Sequence, residues 1–440
     1  MTERFSISVE WEALEEGPPE ERACFGSVSI QYGAVSLSEG YDPFVKRIRQ
    51  APFVSAYHLA EWLTWNWWRL RWEPRSQGAD WSLTHRISTI GSGYVWPNLT
   101  IFSDGERIAI VAKPSSDQNE AGYRYIADGA AIIPAADFEN AVDRFLEQVV
   151  GQLAAERVRG TNFERLRADL SQERQNPELT RYRKMEALLG FDADEAPAHA
   201  VDRLLADAGA LGSSATFELA AESSGRGTIL DAEQLEAIAG QQGFDASRQD
   251  AFHLPNRPIV ARGQVPAWWV GQQAARDARA ELRLGDEPIS DNRLTALLAV
   301  DRNVLTDRRT APISFALDER GRRGAIVLRS KWKTGRRFEL ARILGDQITG
   351  ANEGRLWPVT RAFTYRQKIQ RAFAAELLSP FDAVDAMLNG DYSDEQQQEV
   401  AEHYEVSPLT IRTLLINHRR IERDDVDADI EMAPARAVAG

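Results

Sequence analysis

The sequence predicts an α+β protein built from several domains. The chain has 440 residues. At the usual length of ~100–200 residues per domain, this corresponds to two to four domains. Short runs of alternating polarity near the amino terminus indicate strands, whereas residues 135–252 repeat apolar residues with a helical period. The 43% hydrophobic content is ample for ordinary cores. We therefore predict an amino-terminal domain that contains β-strands, a helical middle region and at least one carboxy-terminal domain.

Residues 1–134 are predicted to form an α+β domain that is rich in tryptophan. The segments FSISVEW and SVSIQYGAVSL indicate strands, as do YVWPNLTIF and RIAIVAKP further along. Between them, SAYHLAEWLTWNWWRLRWEP predicts a helix in which Trp65, Trp68 and Trp72 share one face. The tryptophans indicate a large core. The alternative interpretation is a platform on which a ligand or nucleic-acid bases stack.

Residues 135–252 are predicted to be helical. The segment DFENAVDRFLEQVVGQLAAERV brings apolar residues to one side of a helix, from Phe138 to Leu153. Proline and glycine then mark residues 253–264 as a linker.

Residues 265–390 are predicted to form a domain that contains several helices and two strands. A helical entry, VPAWWVGQQAARDARAELRLGDEPISDNRLTALLAV, precedes the strand-like runs APISFAL and GAIVLRSKW. The segments RRFELARILGDQITG and RAFAAELLSP follow. Together these segments resemble the ImmA/IrrE family of metallo-endopeptidases, whose members carry RRFTLAHELGH and ANRFAAELLMP at these places. The resemblance spans roughly residues 265–420 and implies a zincin-like peptidase domain.

The resemblance also implies where zinc would bind, and this chain departs from it. In the family, two histidines at i and i+4 hold Zn²⁺, and the intervening glutamate activates the bound water. Arg342 stands for the first histidine, Ile343 for the glutamate and Asp346 for the second histidine. The family's third ligand is a glutamate shortly before Phe373, where Ile369 stands among neighbours that are not acidic: Gln367, Lys368 and Gln370.

These substitutions predict that the zinc of the family is absent and that no cofactor is bound. Arginine has no lone pair to give to a metal, and isoleucine cannot take a proton. No two of the six histidines are spaced i and i+4 elsewhere in the chain. Arg342 and Asp346 have that spacing themselves, so we expect them to pair in place of the metal-bridged histidines. The alternative is that both charges face solvent.

Residues 391–424 resemble a helix-turn-helix unit, and residues 425–440 read as an acidic, disordered tail. Ser407 and Pro408 fit the start of the second helix. This unit either packs on the preceding domain or contacts DNA through cationic side chains. The basic stretch 302–342, with twelve Lys or Arg against four acids, would add to a nucleic-acid surface. The candidate contacts are Arg412, His418, Arg419, Arg420, Arg336 and Arg337.

The composition of the chain indicates its cellular compartment and limits the kinds of partner that it can bind. The single cysteine, Cys24, excludes a disulfide framework and fits a reducing environment. The sequence indicates neither a signal peptide nor a transmembrane segment, so we expect a cytoplasmic protein with no membrane partner. The net charge of −14 is not evenly spread. The basic stretch 302–342 could bind a polyanion such as nucleic acid, and the alternative is a solvated hairpin with charged flanks.

The resemblance implies a regulatory role, because active members of the family cleave helix-turn-helix repressors. We expect a catalytically inactive pseudo-metallopeptidase that binds a protein partner, such as a repressor or a defence component. The setting would be mobile-element control, a stress response or phage defence. One alternative is a DNA-binding transcriptional regulator. The other is an active metallo-endopeptidase with an atypical site.

Overall fold

A computed structural model of the chain describes residues 5–76, 80–115, 122–224, 229–247, 263–318, 324–350 and 354–422. Helices and antiparallel sheets are mixed throughout, which confirms the α+β class. The chain divides into two compact units, the first ending at Ala196 and the second beginning at Pro197. None of the described helices is both long and apolar enough to cross a membrane.

Three small antiparallel sheets form the β-structure of the first unit. In the first sheet, β2 pairs with β1, β3 and β6; in the second, β8 lies between β7 and β10; in the third, β4 lies between β5 and β9. The strands are β1 (Phe5–Trp11), β2 (Phe25–Tyr32), β3 (Val35–Ser36), β4 (Gly40–Asp42), β5 (Arg47–Arg49), β6 (Phe53–Ser55), β7 (Leu99–Ser103), β8 (Arg107–Ala112), β9 (Arg124–Tyr125) and β10 (Gly129–Pro134). The polarity of β1 and β2 alternates because one face of their sheet packs on the core.

Seven α-helices and one 3-10 helix (Ile87–Thr89) complete the described part of the first unit. The single tryptophan-rich helix that the sequence predicted is divided into two helices, α2 and α3. The chain leaves the helix at Asn66, so Trp65 is 58% exposed while Trp67 and Trp68 are buried in the core. The buried tryptophans favour the core interpretation over a stacking platform. The helices are α1 (Pro19–Ala23), α2 (Ala56–Trp65), α3 (Trp67–Trp72), α4 (Trp81–His85), α5 (Ala135–Ala155), α6 (Asn162–Gln175) and α7 (Pro177–Leu189).

The second unit packs helices around one four-stranded antiparallel sheet of order β11-β13-β12-β14. Its strands are β11 (Phe244–Ala246), β12 (Ser314–Leu317), β13 (Gly324–Val327) and β14 (Leu356–Val359). Its helices are α8 (Ala198–Leu211), α9 (Ser213–Ser223), α10 (Ala232–Gln242), α11 (Ala267–Glu281), α12 (Asp291–Leu297), α13 (Lys333–Thr349), α14 (Tyr365–Leu378), α15 (Phe381–Leu388), α16 (Asp394–His403) and α17 (Pro408–Asn417).

The division between the units differs from the segments predicted from the sequence. Within the predicted helical segment 135–252, helices α5 to α7 belong to the first unit, whereas α8 to α10 and β11 belong to the second. The reason is that β11 pairs with β13 and places Phe244 opposite Ile326 in the core of the second unit. Most of the predicted linker 253–264 and the predicted tail 425–440 lie outside the described residues.

Helices α11 and α14 approach each other closely at Gly271. A Cβ atom built on Gly271 would lie 2.3 Å from the carbonyl oxygen of Ile369 and 2.9 Å from the Cβ of Ala372. The missing side chain therefore sets the distance between the two helices, and α14 supplies several residues of the candidate site described below.

We predict that Gly271→Ala destabilises the second unit. The added methyl group would push against the backbone of α14, and such overpacking costs about 1–3 kcal/mol. The matched control is Gly209→Ala on α8, where nothing lies within 4 Å of the added Cβ and a gain of about 0.4–1 kcal/mol is expected. Thermal denaturation of both variants checks this, and equal melting temperatures would contradict it.

Candidate functional site

The positions that the sequence analysis assigned to a zinc helix, Arg342, Ile343 and Asp346, lie on α13 and are all buried. Ile343 belongs to the hydrophobic core of the second unit. Arg342 and Asp346 are 5% and 1% exposed. The alternative in which these two charges face solvent is therefore wrong, because α13 is covered on both sides of this segment.

Asp346 forms an ion pair with Arg366, the second residue of α14. Nε and Nη2 of Arg366 donate to the two carboxylate oxygens of Asp346 at 2.7 and 2.6 Å. The predicted pair of Arg342 with Asp346 is therefore wrong, since both oxygens of Asp346 face a guanidinium from another helix. The first turn of α14 is held in place because the Thr364 hydroxyl accepts a hydrogen bond from the backbone N–H of Gln367.

Arg342 is a buried guanidinium whose described hydrogen bonds go to neutral oxygens. Its Nη2 donates to the carbonyl oxygen of Thr360 at 2.8 Å and to Oε1 of Gln367 at 2.6 Å. Its Nε has no hydrogen-bond partner in the part of the chain that the structure describes. Burial, together with the nearby charge of Arg371, lowers the pKa of Arg342 well below its usual value. A guanidinium has no acceptor lone pair, so Arg342 can only donate hydrogen bonds.

Amide side chains occupy the stretch in which the predicted resemblance would have its third ligand. Gln367 accepts from the backbone N–H of Thr360 at 2.9 Å and donates to the carbonyl oxygen of Pro358 at 3.1 Å. Gln370 donates to the same carbonyl at 3.1 Å. Ile369 packs in a small apolar cluster with Ala267 and Tyr365. This stretch therefore ties α14 to β14.

Helix α9 contributes two side chains that the sequence analysis did not identify. Glu218 accepts a hydrogen bond from the hydroxyl of Thr364 at 2.7 Å, and Ser214 accepts one from Nη1 of Arg366 at 3.1 Å. Burial raises the pKa of Glu218, although the charge of Arg366 opposes this effect. No motif pointed to Glu218, Ser214 or Arg366, because these residues meet only when α9 packs beside α14.

We call the set of Arg342, Asp346, Arg366, Gln367 and Glu218 the buried polar network. Its two guanidinium groups and two carboxyl groups balance formally when all are ionised. Zinc does not fit these side chains. It requires lone pairs from imidazole, thiolate or carboxylate groups, but Arg342 can only donate, and both oxygens of Asp346 are engaged by Arg366. No group of three or more His, Cys, Asp or Glu suited to a metal occurs among the residues described.

Two of the predicted nucleic-acid contacts lie in the protein interior. Arg336 donates to the carbonyl oxygens of Val304 and Arg309, and Arg337 pairs with Asp291. Neither arginine has measurable exposure. The prediction that Arg336 and Arg337 contact DNA is therefore wrong, because their donors hold neighbouring segments of the same unit against α13.

The predicted helix-turn-helix segment forms two helices, α16 and α17, joined by a short turn. The hydroxyl of Ser407 accepts from the backbone N–H of Thr410 at 3.2 Å, which confirms the predicted start of the second helix. Of the four candidate contacts here, Arg412 is partly buried, with Nη1 3.8 Å from a carboxylate oxygen of Asp394. Arg419 is exposed.

The other two candidates have structural roles. The ring of His418 stacks on Phe381 with centroids 3.4 Å apart, and its Nε2 lies 3.1 Å from Nε2 of Gln272. Burial lowers the pKa of His418, so a neutral ring is favoured. Arg420 donates to both carboxylate oxygens of Asp385 at 3.0 and 2.6 Å. His418 and Arg420 are therefore both held by residues of their own unit.

A cleft of about 370 Å³ lies between helices α11, α13, α14 and α17. Its lining is largely apolar, and it includes two cations, Lys368 and Arg371, one turn apart on α14. The complete lining is Trp268, Gln272, Thr334, Gly335, Phe338, Lys368, Arg371, Ala372, Ala375, Glu376, Ser407, Leu409, Thr410, Thr413, Leu414, Asn417 and His418. We refer to this feature as the helical cleft.

In comparisons with known proteins, no protein-family model, no curated protein and no solved structure matched the chain. The resemblance to the ImmA/IrrE peptidases therefore stays a prediction from the sequence pattern.

We predict that Asp346→Ala strongly destabilises the second unit. The substitution would leave the guanidinium of Arg366 without its buried counter-charge, and breaking such a pair costs about 3–5 kcal/mol. The matched control is Asp382→Ala, because the pair of Asp382 with Arg276 is exposed and such pairs contribute only about 0–1 kcal/mol. Chemical denaturation measures both. If Asp346→Ala unfolded at the wild-type midpoint, the ion pair would not be structural.

We also predict a pH-dependent effect of Glu218→Gln. The pKa of Glu218 in the folded protein is raised, so the wild-type protein loses stability as the pH rises through that value. Glutamine keeps an acceptor for Thr364 and carries no charge to desolvate. The melting temperature of Glu218→Gln relative to wild type should therefore increase with pH. A difference that stays constant from acidic to neutral pH would contradict this.

Proposed function

We propose that the chain is a non-catalytic, regulatory binding protein that resembles ImmA/IrrE peptidases but has lost their reaction. The observation that carries this proposal is the buried polar network. At the positions where the family has two zinc ligands and a general base, this chain has a hydrogen-bond donor, an apolar core residue and a carboxylate already paired with Arg366. These groups neither bind zinc nor activate water.

A protein partner is favoured over DNA. DNA affinity depends on cations that reach phosphates, but Arg336 and Arg337 are buried and Arg420 pairs with Asp385. The helical cleft instead offers a largely apolar surface of the kind that protein segments bury. The partner that the resemblance suggests is a repressor or a defence component, in mobile-element control, a stress response or phage defence.

The first test is elemental analysis of the purified, untagged chain, followed by a peptidase assay. We expect far less than one zinc per chain and no cleavage of a helix-turn-helix repressor, because the residues at the ligand positions do not fit zinc. Close to one zinc per chain, or metal-dependent cleavage, would contradict the proposal.

The second part of the test separates a protein partner from DNA. A protein partner held by apolar contacts should stay bound to the full chain at high salt and should remain intact. Binding to a DNA duplex would instead fall steeply with salt and would weaken in Arg412→Glu and Arg419→Glu. Those two variants should leave the capture of a protein partner unchanged. Salt-sensitive duplex binding without a protein partner would favour the transcriptional regulator.

A further inference from the structure

We infer that Arg342 binds a small monovalent anion, of the size of chloride, in the interior of the second unit. The guanidinium is buried, its described hydrogen bonds go to neutral oxygens, and its Nε has no partner among the described residues. An anion is thus bound where the predicted resemblance would have a metal cation. The inference concerns this site alone and does not depend on the partner of the chain.

The two acids nearest to Arg342 along α13 are engaged elsewhere. Glu339 and Asp346 lie three residues before it and four residues after it, spacings that bring side chains together on a helix. Both oxygens of Asp346 accept from Arg366. Oε2 of Glu339 accepts the backbone N–H groups of two successive residues that precede α13, each at 3.1 Å. In the part of the chain that the structure describes, Arg342 therefore has no carboxylate bound to it.

Another buried arginine shows how this fold satisfies a guanidinium that has no bound acid. Arg279 is also 5% exposed, and each of its nitrogens donates to a backbone carbonyl oxygen, those of Gly285, Glu287 and Leu377. Arg342 donates to described residues from Nη2 alone. Its Nε and Nη1 are therefore the donors that remain for a ligand.

The charges around Arg342 favour a negatively charged ligand. Asp346 neutralises Arg366, and burial raises the pKa of Glu218, which favours the uncharged form of that acid. Burial and the nearby charge of Arg371 lower the pKa of Arg342. An anion beside the guanidinium opposes both effects, because an opposite charge favours the cation. It also offsets the cost of burying a cation that has no counter-charge.

The burial of the site limits the ligand to a small anion with a single charge. Arg342 is 5% exposed and is not among the residues that line the helical cleft, so a large organic anion cannot reach it. One guanidinium without a bound acid matches one negative charge. The anion must also leave its water, and this cost rises with ionic charge. Chloride and bromide therefore fit the site better than sulfate or phosphate.

The first test compares the melting temperature of the full-length protein in sodium chloride and in sodium gluconate at equal ionic strength. An anion that binds only the folded state raises the melting temperature with a saturating dependence on its concentration. We expect chloride to raise it by about 2 °C or more relative to gluconate, which is too large for the site. Arg342→Met and Arg342→Gln should lose this difference. The control Arg308→Gln removes the same charge from an exposed residue and should keep it.

The second test locates the anion in the wild-type protein, so it holds even if the Arg342 variants do not melt cooperatively. Crystals grown in sodium bromide should show an anomalous-scattering peak in contact with Nε or Nη1 of Arg342. The inference is overturned if this peak is absent, because water would then serve these donors or the side chain would be uncharged.

Two further results would also overturn the inference. One is a chloride response in Arg342→Met equal to that of the wild type, which would place the effect elsewhere in the chain. The other is a bromide peak without a saturating rise in melting temperature, which would mean an adventitious ion only. Neither result bears on the proposed function, which fails instead if the protein contains zinc or cleaves a repressor.

Discussion

The ion pair between Asp346 and Arg366 is the contact on which the middle of the second unit depends. Arg366 uses Nε and Nη2 for the carboxylate on α13 and Nη1 for Ser214 on α9, so one guanidinium connects three helices. A buried ion pair repays its desolvation only when its hydrogen bonds are well satisfied. Both oxygens of Asp346 are satisfied here. The pair therefore specifies how α13, α14 and α9 are arranged.

Local features of the fold could be predicted from the sequence more accurately than the contacts between residues that are distant in the chain. The run FSISVEW matches β1 residue for residue, and the start of α17 at Ser407 and Pro408 is as predicted, because alternation and helix capping depend on neighbours along the chain. The partner of Asp346 was not predicted, because it is not a neighbour along the chain. Spacing on one helix pointed to Arg342, whereas Arg366 lies on another helix and approaches only through packing. Glu218 comes from still further away in the sequence.

The basic stretch 302–342 shows why a charge count overestimated the nucleic-acid surface. Counting treats every cation as solvent-facing, but Arg336 and Arg337 are buried. Lys333 and Arg337 contact Asp291 and Glu405, two acids that lie outside the stretch. Part of the local positive charge is therefore balanced by residues that are distant in the sequence. Burial and long-range pairing are tertiary properties, so composition alone could not reveal them.

The buried polar network and the helical cleft use different parts of the same two helices. On α13, Thr334, Gly335 and Phe338 line the cleft, whereas Arg342 and Asp346 belong to the network further along. On α14 the order is reversed: Arg366 and Gln367 belong to the network, and five residues between Lys368 and Glu376 line the cleft. Substitutions in the buried polar network can therefore leave the cleft unchanged, because the two depend on separate side chains. Under the proposed function, the residues of the network would have lost the family's reaction while the cleft stays available for binding.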